Sequence, residues 1–279
     1  MPEQEYRERS HEIWEEVAES WDRERQLLWS VSRRVGERLV DVLDPQPGEK
    51  LLELAAGTGD TGLRAAARLG DDGRLVSTDF SENMVEAARR EAERLGFKNV
   101  DAQVADAERL GFVHDNFDGV LCRWGYMLMA DPAAALAETR RVLGDGGRVA
   151  FSVWGDPEQN PWASIPSRVL LEHTGAAPPD PYAPGIFAMA SEERTRELLE
   201  GAGLEPTRIE RVEMAWRFDS LDAYWHYVTD LAGAVAMLVR ALPEEDQRAV
   251  RDEVEQRIRP HAEGDGYRFQ GLCLNVLAA

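Results

Sequence analysis

The sequence of 279 residues predicts a doubly wound α/β fold: a seven-stranded sheet, mostly parallel with one antiparallel strand, flanked by helices. Three observations predict it. An apolar run, Leu51–Leu54, leads into G-x-G-x-x-G at Gly57, Gly59 and Gly62, where a helical pattern opens. Strand and helix patterns then alternate to about residue 154. Three successive strands also end in or beside an acid: Glu53, Asp79 and Asp106. In a parallel sheet such ends share one edge, where open α/β sheets bind ligands.

Each element follows in order. Residues 5–44 carry Ile13, Trp14, Val17, Trp21, Leu28, Val31, Val35 and Leu39 at helical spacing. Asp44-Pro45-Gln46-Pro47-Gly48 ends that pattern before the first strand. The second strand, Arg74–Thr78, reaches Asp79, and Ser81 caps a helix over Glu82–Leu95. A third strand spans Val100–Ala105 and a fourth Phe117–Cys122, followed by a helix over Pro132–Leu143. Asp145-Gly146-Gly147 turns the chain into a fifth strand, Arg148–Trp154. Residues 155–190 are rich in proline and glycine, and no regular element is read there. A helix over Ser191–Ala202 leads to a sixth strand, Pro206–Trp216. Two helices, Asp219–Pro243 and Glu244–Pro260, precede the final strand, Tyr267–Leu277. One domain over 1–279 is expected, with a helical cap (1–46), a binding core (47–154) and a more variable segment (155–279). The last contains a helical insertion over about 219–264.

Glycines in the first turn let the backbone bend sharply and let a ligand approach the main chain. The helix beyond them aims unpaired N–H groups at the same crevice. The same letters serve NAD, FAD and S-adenosylmethionine. Asp79, twenty residues past Gly59, suits the two hydroxyls of a ribose, which NAD and S-adenosylmethionine share. An NAD fold has no need of Glu53 or Asp106. A ligand with an α-amino group, a ribose and an adenine amine uses all three acids.

The segments LLELAAGTGDTG (51–62), VSTDFSENMVEAAR (76–89), VADAERLGF (104–112), FDGVLCRWGYML (117–128) and RRVLGDGGRVAFSVWG (140–155) run in a familiar order. At this spacing the chain resembles the class I S-adenosylmethionine-dependent methyltransferases. Within them it is closest to the group that includes the ubiquinone/menaquinone C-methyltransferases. The resemblance implies a Rossmann-like fold, S-adenosylmethionine as cofactor, S-adenosylhomocysteine as product, and no metal. It implies that Glu53 helps hold the methionine amino group and that Ala55, Gly57, Thr58 and Gly59 pass close to the cofactor. Asp79 takes the ribose hydroxyls, and Phe80 and Met84 flank the adenine. Asp106 and the Ala107 N–H meet the adenine edge, while Arg123 and Trp124 offer main chain to the methionine end. Two departures stand out: Glu53 replaces the commoner aspartate, and Asp145-Gly146-Gly147 replaces a proline-bearing turn.

The acceptor side is less legible. Trp14 and Trp21 sit where the family closes its site with aromatic residues, and a ring face attracts a sulfonium. Trp154, Asn160 and Trp162 follow the fifth strand on the substrate side, and Trp225 lies in the insertion. That insertion reads as a lid over the substrate or as a dimerisation surface. The catalytic residue is unknown; His173 and His226 are the candidates in the variable regions.

Composition narrows the partners. The net charge is −20, from 52 acids against 32 bases, which argues against nucleic acid. No run of eighteen apolar residues exists to span a membrane, and the charged N-terminus reads as no secretory leader. Cys122 and Cys273 lie in apolar strands, so buried thiols in a cytoplasmic protein are expected. No histidine, cysteine or acid cluster has metal-ligand spacing. The expected function is methyl transfer to a C, O or N atom of a small hydrophobic or aromatic molecule. The alternative is a non-catalytic S-adenosylmethionine-binding regulatory module.

Overall fold

The computed structural model describes residues 3–279. Its strands are β1 (Lys50–Leu54), β2 (Arg74–Asp79), β3 (Val100–Val104), β4 (Phe117–Arg123), β5 (Leu143–Trp154), β6 (Pro206–Phe218), β7 (Ala262–Glu263) and β8 (Gly266–Ala278). The seven long strands lie in the order β3-β2-β1-β4-β5-β8-β6, and β8 alone runs antiparallel to both neighbours. The two-residue β7 pairs with the start of β8. The helices are α1 (Glu3–Arg23), α2 (Arg25–Leu43), α3 (Asp60–Leu69), α4 (Glu82–Arg94) and α5 (Pro132–Val142). They continue with α6 (Pro161–Thr174), α7 (Glu192–Gly201), α8 (Leu221–Asp230), α9 (Ala234–Arg240) and α10 (Glu244–Ile258).

Strand alternation sorts the core onto two faces. On one, Leu51, Leu75, Leu121 and Ala150 pack against Leu39, Val40 and Leu43 of α2 and Ala65, Ala66 and Leu69 of α3. On the other, Leu52, Val120, Val149 and Phe151 meet Ala135 and Leu136 of α5 and Leu198 and Leu199 of α7. Helices on both faces explain why β1 is apolar almost throughout rather than alternating.

The N-terminal helices are parted at Glu24, where ψ rises to 14°. Two expectations need correction. The helix expected over 219–243 breaks at Leu231–Gly233, with Gly233 at φ +54°. Residues 161–174, where no element was expected, form α6 despite Pro166 inside it. Pro161 suits the first helical position, while Pro166 lacks the N–H that would bond the carbonyl four residues back. Tyr224 of α8 fills that gap, donating its hydroxyl to Trp162 O at 2.7 Å. Tyr224→Phe is therefore expected to cost about 2 kcal/mol by leaving a buried carbonyl unpaired. An unchanged denaturant midpoint would show that α6 does not depend on this bond.

Candidate functional site

One face of the sheet changes character as it nears the carboxyl edge. Two residues beyond the leucines on the α2–α3 face, the same rows carry Glu53, Ser77, Arg123 and Ser152, with Asn275 opposite Ser152 on β8. Glu53 is buried, and its Oε1 accepts from Gly62 N–H at 2.7 Å while Oε2 accepts from Ser77 Oγ at 2.7 Å. Thr78 Oγ1 donates to Glu53 O at 2.6 Å. Gly62 owes its identity to this carboxylate, because a Cβ there would lie 2.0 Å from Glu53 Oε2.

Burial pushes the Glu53 carboxyl up to about 8, against the lowering pull of Ser77, Gly62 and Arg123. Between its ordinary value of 4.5 and about 8, the folded protein holds a proton that the unfolded chain has released. This group's contribution therefore makes stability fall as pH rises through that window. Glu53→Gln removes the charge, while its amide oxygen accepts from Gly62 N–H and its amide N–H donates to Ser77 Oγ. It is expected to flatten the decline in thermal melts of the ligand-free protein, and parallel melting curves would remove Glu53 as its source.

The glycine turn is tied to β2 through Asp79. Its Oδ2 accepts from Gly57 N–H at 2.8 Å and its Oδ1 from Ser81 N–H at 3.0 Å. Burial raises this carboxyl to about 6 against those backbone donors. Gly57 (φ +55°) and Gly59 (φ +84°) both take left-handed conformations, and the space that a Cβ would occupy at Gly57 is open. Thr58 Oγ1 donates to Asp60 Oδ2 at 2.7 Å. Ala55 is also left-handed, at φ +48°, and a Cβ on Gly125 would meet the Ala55 Cβ at 2.6 Å. The turns after β1 and β4 thus touch.

The other residues expected at the cofactor spread along this edge. Asp106 is exposed, with Oδ1 accepting from Glu108 N–H at 2.9 Å, and Ala107 beside it is half-buried. Phe80 stands edge-on to His11 of α1, with centroids 5.5 Å apart. Met84 is buried with Val17 and Ala18 of α1. Arg123 Nε donates to Thr61 Oγ1 at 2.7 Å, and the guanidinium lies 4.6 Å from the Trp124 ring centroid. Burial lowers the Arg123 pKa, while Asp60 and Glu53 oppose the shift. Trp124 is left-handed at φ +61° and stacks on Trp154 at 4.2 Å. Its buried Nε1 has no nitrogen or oxygen partner, only the Cys273 thiol beside it.

The acceptor-side residues divide. Trp14 and Trp21 pack edge to face at 5.3 Å, and Trp21 Nε1 donates to Leu231 O at 3.2 Å, joining α1 to the insertion. Trp154 and Trp162 are buried, in a chain of rings that continues to Trp216 and Tyr227. Trp225 is half-buried against the same core. Asn160 is buried, and its amide is spent on the fold. Nδ2 faces Gly155 O, Asp156 O and Leu272 O, and Oδ1 accepts from Trp162 Nε1 and Leu272 N–H. His173 and His226 also lie on the exterior, His173 paired with Asp246 and His226 with Asp230 and Glu24.

Several residues at the edge carried no sequence signal. Helix α1 crosses the strand ends: Tyr6 Oη donates to Leu128 O at 2.9 Å, and Arg7 pairs with Glu108. Glu108 in turn accepts from Ala130 N–H at 2.8 Å and Asp131 N–H at 3.0 Å. Arg25 donates to Thr58 O at 2.6 Å. Only Ser77 and Thr78 had a visible clue, as hydroxyls inside an otherwise apolar strand.

Known proteins are similar to this chain. An aklanonic acid methyltransferase of a Streptomyces species is 36% identical over 118 residues, covering 42% of this chain and 54% of that protein. A demethylmenaquinone methyltransferase of Bacillus cereus is 31% identical over 144 residues, covering 51% and 60%. The chain thus spans little more than half the length of these curated relatives. A crystal structure of a putative methyltransferase from Bacillus halodurans superposes with a TM-score of 0.61 at 20% identity, over 87% of this chain and 97% of that one. The [4+2]-cyclase SpnF has the same fold, with a TM-score of 0.57 at 19% identity over 94% of both chains. The model of the ubiE/COQ5 methyltransferase family matches residues 3–161, more than half of the sequence, and the chain belongs to that family.

Proposed function

We propose that this protein is an S-adenosylmethionine-dependent methyltransferase acting on a small hydrophobic or aromatic molecule. The observation that carries the reading is the open cradle at Gly57, held by Asp79 and flanked by the acidic ends of β1 and β3. Such an edge fits a ligand with an ammonium group, a ribose diol and an adenine amine. S-adenosylmethionine, when bound, supplies a methyl group on an electrophilic sulfonium.

The protein's part is to bind, orient and exclude water. Asp79 takes the ribose hydroxyls, and Asp106 with the Ala107 N–H takes the adenine edge beside Phe80. Met84 acts from behind, through its packing with α1. Glu53, whose oxygens each keep a lone pair beyond Gly62 and Ser77, faces the methionine amino group directly or through water. Ala55, Thr58 and Gly59 shape the turn, and the main chain at Arg123 and Trp124 meets the methionine end. Helix α1 keeps solvent from this edge. None of the five histidines is buried, which favours transfer by positioning onto an acceptor atom that is already nucleophilic.

The relatives' names suggest acceptors to try first: demethylmenaquinone and aklanonic acid. The tryptophans Trp14, Trp21, Trp154, Trp162 and Trp225 supply an aromatic environment for such rings. We read residues 1–279 as one methyltransferase domain, with 1–46 as cap, 47–154 as cofactor core and 155–279 as substrate side. Among the described residues no helix is long and apolar enough to cross a membrane. The charge of −20 disfavours nucleic acid as substrate, and two buried free thiols suit the cytoplasm. The test is calorimetric titration of S-adenosylmethionine, followed by methyl transfer to those acceptors. Binding with turnover supports the reading, binding with no turnover on any acceptor favours a regulatory module, and absence of binding overturns both.

A further inference from the structure

The helical cap, the insertion and the glycine turn meet at one short segment, Trp21–Arg25. Towards the insertion, Trp21 donates to Leu231 O at the break between α8 and α9, and Glu24 faces His226 of α8 at 3.9 Å. Towards the cofactor side, Arg25 Nη1 donates to Thr58 O at 2.6 Å and lies 3.3 Å from Asp60 Oδ1. Its Nη2 reaches Ala87 O at 3.3 Å and Asp22 Oδ1 at 3.1 Å, while Asp22 takes Arg90 of α4 at 2.8 Å. The Arg25 side chain is only 11% exposed.

A rigid guanidinium fork divided among three elements fixes their separation in a way that a lysine point charge does not. The backbone at Glu24, between the two sets of contacts, has left the helical region, so α1 and α2 are joined by a single non-helical residue. The facing break in the insertion is glycine-based, and a Cβ on Gly233 would come within 3.8 Å of Trp14. A shift of Thr58 thus has a contiguous path, through Arg25 and Trp21, to the hinge of the insertion.

We propose that Trp21–Arg25 couples occupancy of the glycine turn to closure of α8–α9, with Arg25 as the positioning residue. This rests on the reading of that turn as the S-adenosylmethionine site. Coupling between two sites is reciprocal, so a change on the insertion side alters affinity at the turn. Trp21→Phe keeps an aromatic ring in the packing but removes the pyrrole half of the indole with its donor to Leu231; Arg25→Lys keeps the charge and removes the fork.

Hydrogen exchange on the full chain, with and without S-adenosylhomocysteine, tests the proposal. In the wild type, the ligand is expected to slow exchange across residues 221–240 by about five-fold. At saturating ligand both variants are expected to lose that protection. Trp21→Phe is also expected to weaken S-adenosylhomocysteine binding by about five-fold, a change that loss of local packing at the insertion alone does not produce. Protection retained in both variants overturns the proposal, as does a wild type that binds the ligand without protecting 221–240. A wild type that fails to bind S-adenosylhomocysteine overturns the cofactor reading itself, and this proposal with it.

Discussion

Gly62→Ala is expected to destabilise the protein by about 3 kcal/mol, although the residue lies in the first turn of a helix, where alanine normally gains about 1 kcal/mol over glycine. The reason is steric and electrostatic at once. The added Cβ would fall 2.0 Å from Glu53 Oε2 and 2.5 Å from its Cδ. The carboxylate has no easy retreat, because Gly62 N–H and Ser77 Oγ hold it in a buried pocket. Moving it exposes the Ser77 hydroxyl and the Gly62 amide to the loss of their partner. A double-mutant cycle in denaturant isolates the clash. In a Glu53→Ala background the same substitution should become neutral or stabilising, since the obstacle is gone and helix propensity remains. An equal cost in both backgrounds would place the strain elsewhere.

Asp79→Ala is expected to weaken S-adenosylmethionine binding by at least about ten-fold, or about 1.4 kcal/mol. Two losses combine: the ribose acceptor that the proposed function assigns to Asp79, and the bond that anchors Gly57 N–H to β2. Asp79→Asn keeps one acceptor oxygen and should lose less. A pH dependence follows from the same group, since burial raises its carboxyl to about 6. The carboxylate is the better acceptor for two hydroxyls, so affinity should fall as pH drops through 6 in the wild type and stay flatter in Asp79→Asn. Calorimetry across that range decides it, and an alanine variant with wild-type affinity would remove Asp79 from the site.

Much of the site was legible because its determinants are local. A glycine turn needs residues that tolerate positive φ within a few positions, and Gly57 and Gly59 both adopt it. Parallel strands with short connections deliver their ends to one edge, so Glu53, Asp79 and Asp106 could be placed together from order alone. The contacts of Asn160, His173 and His226 were not legible, for the opposite reason. Their surroundings are built by segments far away in sequence: Leu272 for Asn160, Asp246 for His173 and Glu24 for His226. Proximity to the fifth strand or to the insertion says nothing of which polar groups will already be taken.

By itself, the sequence determined the sheet, the acidic edge where its strands end and the family, because hydrophobic period, turn glycines and strand-end acids act over a few residues each. The tertiary structure decided the helix α6, where Tyr224 caps the carbonyl freed by Pro166 from 62 residues away. It also decided the break at Glu24 and the reach of Arg25 to Thr58. The bonds made by Tyr224 and Arg25 each depend on one largely buried polar group finding a particular distant partner. Such a pairing leaves no periodicity in the chain, and only the packed fold supplies the partner.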